Sequence, residues 1–171
     1  MNISIDPRAA AVIALLLSLT MPSLAQAPRV ERAEVIAAGF FAGRLTGKTT
    51  SAAGTVAGMV KDIQDVEFLA EPPAKSAAVG TRFGVRFRLV GQPRHGNATL
   101  RAVWKIPTPG IMNPDNGNIY RQSTSEFTVR IGDEVTRGYI FDEPWEVVLG
   151  GWILQIWQGD RKLIEKSFAI R

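Results

Sequence analysis

The chain has 171 residues, no cysteine, one histidine and a formal net charge of +4. Without cysteine there is neither a disulfide nor a thiol for lipid attachment, and a single histidine completes no His/Cys metal site or nucleophile–base pair. So small a positive surplus is ordinary and singles out no partner.

At the amino terminus, Arg8 precedes an apolar run over residues 9–19, followed by Pro22, Ser23, Leu24 and Ala25. This is the pattern of a secretory signal peptide cleaved after Ala25. The run of about 11 residues falls short of the ~20 that a helix needs to cross a bilayer, so no permanent membrane span is expected. The expectation is an exported protein, periplasmic or secreted, with about 146 residues left to form one domain over 26–171.

Weak strand patterns cover residues 29–41 and 64–70. Between them, residues 43–58 are rich in Gly, Thr, Ser and Ala without periodicity and read as a long loop or hairpin tip. The first clear alternation spans 81–90, with Phe83, Val85, Phe87 and Leu89 on one face and Arg82, Arg86 and Arg88 on the other. It repeats at Leu100, Ala102, Trp104 and Ile106 against Arg101 and Lys105, and the Gly/Pro-rich residues 91–97 between the two runs read as a hairpin loop. Residues 107–120 form a second long connection. Phe127, Val129 and Ile131 then alternate, Gly132-Asp133-Glu134 reads as the turn of a second hairpin, and Tyr139 and Phe141 point inward from the next strand. The last pair has Trp152, Leu154 and Ile156 inward, a turn at residues 158–161, and Phe168 and Ile170 closing the chain.

About seven to eight short strands without an amphipathic helix predict an all-β fold, an immunoglobulin-like antiparallel sandwich. The cysteine pair of antibody domains is missing, which leaves Trp104 and Trp152 as central aromatic anchors.

Four ordered motifs resemble a bacterial exported family, the domain of unknown function 3859. They are Gly80-Thr81-Arg82-Phe83-Gly84, Val103-Trp104-Lys105-Ile106-Pro107, Phe141-Asp142-Glu143-Pro144-Trp145-Glu146 and the closing stretch from Gly151-Trp152 to Phe168. The resemblance covers about Val66 to Ile170. It implies a small periplasmic β domain and brings no activity or catalytic residue with it.

Residues 42–49 fit a permissive phosphate-binding-loop string. That chemistry needs a preceding buried strand and a following helix whose N–H groups receive phosphate, and the Gly/Thr/Ser run here builds neither, so no nucleotide is expected. Nucleic acid is disfavoured for want of a recognition motif. No cofactor is indicated. Asp142, Glu143 and Glu146 beside Trp145 are the densest acidic cluster. They read either as a strand-ending turn or as the carboxylates of a carbohydrate-active hydrolase.

Alternation puts Trp157 on the outer face, opposite Trp152, Leu154 and Ile156, where it is a stacking platform or the lid of a minor core. Arg82, Arg86, Arg88, Arg101 and Lys105 are expected to share the outer face of two adjacent strands, with Arg94 and His95 near the tip. Such a basic stripe serves either solubility or anionic polymers.

The favoured function is a non-enzymatic binding or interaction domain for a protein or an anionic envelope polymer. A hydrolase, and a structural subunit joined by strand-edge pairing, are the alternatives.

Overall fold

The computed structural model describes residues 28–70 and 77–171; the expected signal peptide lies outside the described residues. The chain forms β1 (Arg29–Ser51), β2 (Met59–Phe68), β3 (Arg82–Gln92), β4 (Asn97–Lys105), β5 (Ile111–Met112), β6 (Ile119–Tyr120), β7 (Gln122–Arg130) and β8 (Glu134–Ile140). A 3-10 turn at Pro144–Glu146 precedes β9 (Gly150–Gln158) and β10 (Arg161–Ile170). One sheet has the order β2-β1-β3-β8 and the other β10-β9-β4-β7, every pairing antiparallel. The predicted immunoglobulin-like sandwich is therefore the fold.

The core forms where the inward faces of the two sheets meet. Phe83 is its hub: its fully buried ring lies 5.4 Å from both Trp104 and Trp152 and 5.5 Å from both Phe141 and Phe168. Edge-to-face packing of this kind adds to the roughly 1.5–3 kcal/mol from burying each large apolar side chain. Trp104 and Trp152 are the anchors the sequence predicts, and the buried Trp152 indole donates to the Val148 carbonyl at 2.8 Å.

Two expected hairpins are arches instead. β3 and β4 lie in different sheets, so residues 91–97 carry the chain across the sandwich, and so does the turn between β7 and β8. The two arches meet at the same end and satisfy each other's backbone. The His95 N–H donates to the Ile131 carbonyl at 3.0 Å, the Ile131 N–H to the Gly96 carbonyl at 2.9 Å, and the Gly132 N–H to the Leu89 carbonyl at 2.9 Å. The β9–β10 pair is the local hairpin that the sequence shows, running from Arg161↔Gln158 to Ile170↔Gly150.

Of the two readings of the Gly-rich segment the hairpin is the one found, with residues 43–51 as strand and 52–58 as its tip. β1 pairs with β3 as far as Phe40↔Phe83, and from Phe41↔Phe68 onward it pairs with β2, continuing as strand to Ser51. The switch follows Gly39, whose φ of 143° is readily open only to glycine. Beyond it, β1 and β2 form an arm whose residues are mostly exposed, which explains the missing alternation.

The arm lies on the outside of β8, with the Phe41 ring over Gly138 and against Phe68 at 5.5 Å. Its tip is fixed at two points: the Thr124 N–H of β7 donates to the Gly54 carbonyl at 2.8 Å, and the buried Asn113 amide donates to the Val56 carbonyl at 2.8 Å. Asn113 belongs to the 107–120 connection, which is partly ordered as the short β5–β6 ladder.

Candidate functional site

The arrangement of the sheets separates the expected basic stripe. Arg82, Arg86 and Arg88 lie on β3 in the first sheet, whereas Arg101 and Lys105 lie on β4 in the second, so the two groups occupy opposite faces of the sandwich. Strand alternation correctly places each group outward, but it is silent on which sheet a strand joins.

The first group is largely committed to structure. Arg86 donates to the Val66 carbonyl and sits 5.5 Å from the Phe68 ring, pinning β2 to the sheet. Arg88 pairs with Glu34 at 3.3 Å. Arg32 first, and then Arg88, hold the Glu34 carboxyl below its usual range. The Arg82 Nε is buried without a hydrogen-bond partner among the described residues.

The acidic cluster is also built into the fold. Glu146 is buried, and its carboxylate accepts the N–H groups of Asp142 at 2.6 Å and Glu143 at 3.2 Å, tying the 3-10 turn to the end of β8. Burial pushes its carboxyl above the usual value, against the opposing pull of those two donors. Asp142 pairs with Lys61 of the arm at 2.9 Å. Glu143 is exposed, and Trp145 packs half-buried against the core. The cluster thus forms a strand-ending turn.

Trp157 stands on the outer face of the second sheet, where alternation puts it. Its neighbours across both ladders are cations: Arg101 on β4, 5.9 Å from the ring centre, and Lys162 on β10, 5.8 Å away. The indole N–H donates to Gln155 at 3.2 Å, which fixes the ring plane. Lys162 shares its charge with Glu165, whereas Arg101 has no carboxylate within 4.0 Å among the described residues. A half-exposed indole between two cations offers a stacking face with positive charge on either side.

A second feature was missed in the sequence. Between the edges of β7 and β8, under the arm, lies a cavity of about 110 Å³ lined by Val56, Lys61, Ala102, Trp104, Arg137 and Tyr139 among others. The signal for it was present, because Arg137 stands two residues before the inward Tyr139 and so on the core-facing side of β8.

An immunoglobulin-like antiparallel sandwich is the class of protein defined here. The signature of the family described as domain of unknown function DUF3859 matches residues 33–170, and the chain belongs to that family. The chain is also similar to an immunoglobulin-like protein from Pseudomonas aeruginosa of known crystal structure. The two are 33% identical, the match covers 86% of this chain and 99% of that one, and the TM-score is 0.53. No curated protein matches the chain.

Proposed function

We propose that this chain is a non-enzymatic binding domain of the bacterial cell envelope, and that it holds an anionic polymer on the outer face of its second sheet. The observation that carries the reading is Trp157 placed between Arg101 and Lys162. An aromatic face stacks on a sugar ring, and flanking cations attract the carboxylate or phosphate groups that such polymers carry.

The signal-like amino terminus supports export. Among the described residues, no helix is long and apolar enough to cross a membrane. The commitment of Glu146 to two backbone donors and of Asp142 to Lys61 favours binding over glycoside hydrolysis, which needs two carboxyl groups free to reach substrate. The exposed charges of Arg161, Lys162, Glu165 and Lys166 on the edge strand β10 disfavour strand-edge assembly.

Retention on immobilised polygalacturonate, a uronic-acid polymer, tests the proposal against neutral dextran. The protein is expected to be held by the first at low salt, to pass through the second, and to lose retention with Trp157→Ala. Equal behaviour on both supports contradicts it.

A further inference from the structure

The cavity between β7 and β8 is lined by Arg137, an arginine with no carboxylate at salt-bridge distance among the described residues. On β8, Val135, Arg137 and Tyr139 pair with Phe87, Val85 and Phe83, all three fully buried, so Arg137 shares the core-facing side of its strand. Because β8 is an edge strand, the side chain runs out between the sheets. Its guanidinium carbon lies 3.8 Å from the centre of the Phe127 ring on β7, at the edge of the opposite sheet.

No carboxylate of the described residues lies within 4.0 Å of this guanidinium, and its Nε is buried without an acceptor. Desolvation lowers Arg137 to about 10, opposed only by the attraction of Asp62. An arginine carries five donors in a planar fork that matches a carboxylate. A guanidinium stacked on an aromatic ring, with its Nε buried and without an acceptor among the described residues, is costly for the fold and is well suited to capturing an anion.

The surroundings define the anion's size and shape. An engineered cavity of about 150 Å³ takes benzene, so a cavity of 110 Å³ admits about four or five heavy atoms. Ala102, Val56 and Trp104 provide an apolar wall, and the Ser125 hydroxyl is available on the β7 side. The acidic lining residues do not cancel the arginine: Asp142 is neutralised by Lys61, and the Glu146 carboxylate is occupied by two backbone N–H groups.

We propose that this cavity is a binding site for a small aliphatic carboxylate, with the carboxylate on the Arg137 fork and a one- or two-carbon tail against Ala102, Val56 and Trp104. The site is separate from the outer face at Trp157, so either can fail without the other.

Titration of the purified protein with propionate, followed through the Trp104 indole N–H resonance, tests it. The expected result is saturable binding in about the millimolar range, with propionamide, the neutral analogue of equal size, bound at least about tenfold more weakly. Arg137→Leu should weaken propionate to the same degree. Ser125→Leu, which narrows the cavity while leaving the charge, should abolish binding. Equal responses to propionate and propionamide, or no response of wild-type Trp104 to either, would overturn the proposal whether or not the variants fold.

Discussion

The Arg101 guanidinium carbon stands 5.9 Å from the centre of the Trp157 ring, directly across the β4–β9 ladder. Lys162 occupies the matching place on the other side, across the β9–β10 hairpin. Three neighbouring strands thus present cation, indole and cation in one row, and no loop is needed to build it. Sites on rigid strands hold their geometry better than sites on loops, which suits a surface meant to recognise a repeating polymer.

Trp157→Ala is expected to leave the fold intact. The ring lies outside the core, and its loss removes two exposed cation–π contacts worth about 0.5–1 kcal/mol each. Urea unfolding should show a loss of at most about 2 kcal/mol. A larger loss would assign Trp157 a structural role.

Phe83→Ala should behave in the opposite way. Its ring is fully buried and touches Trp104, Tyr139, Phe141, Trp152 and Phe168, so truncation opens a cavity that both sheets must tolerate. The expected cost is about 3–5 kcal/mol by equilibrium unfolding. A cost under about 1 kcal/mol would mean that the hub collapses freely around the gap.

Glu146 gives a pH dependence of definite sign. Its native carboxyl is raised above the usual 4.5, so the native state holds the proton more tightly than the unfolded chain. Stability therefore falls as pH rises from 4.5 to the raised native value and levels off above it. Glu34 and Glu165 are shifted downward and act in the opposite sense below 4.5, outside this window. Glu146→Gln keeps an acceptor for the two N–H groups but cannot ionise. The stability difference between wild type and Glu146→Gln should therefore change across the window, with wild type losing ground as pH rises. A difference independent of pH contradicts this account.

Attachment of the arm to β8 can be tested at Gly138. A Cβ placed there would lie 2.5 Å from the Phe41 ring, so Gly138→Ala must displace the ring. Destabilisation of about 1–3 kcal/mol is expected, with a smaller penalty in a Phe41→Ala background. Additive effects of the two substitutions would show that the ring and the glycine are not in contact.

How far the sequence revealed the fold can be seen strand by strand. The inward positions of β3, β4 and β9 were legible because each strand has one buried and one wet face, and period-2 alternation records that contrast. Sheet membership left no such trace. A Gly/Pro-rich connection of a few residues serves an arch as well as a hairpin, so β3 and β4 looked adjacent and the basic stripe looked continuous. Along the arm the sequence suggests only a long loop or a hairpin tip, because residues wet on most sides have no contrast to record.

The candidate sites divide in the same way. Trp157 was visible as an aromatic out of phase with Trp152, Leu154 and Ile156. Arg137 was visible in principle, two residues from Tyr139 on the inward face, but its meaning depends on β8 being an edge strand and on Phe127 lying opposite. Both facts are set by tertiary pairing, which alternation along one strand does not record.

The most direct test of the central claim is a titration of the protein with polygalacturonate at low salt, watching the indole N–H resonances of its four tryptophans. Trp157 is expected to shift, while the buried Trp104 and Trp152 stay in place, and an Arg101→Ala, Lys162→Ala double variant is expected to lose the shift. A titration that leaves Trp157 unmoved, or that moves only Trp145, would contradict it.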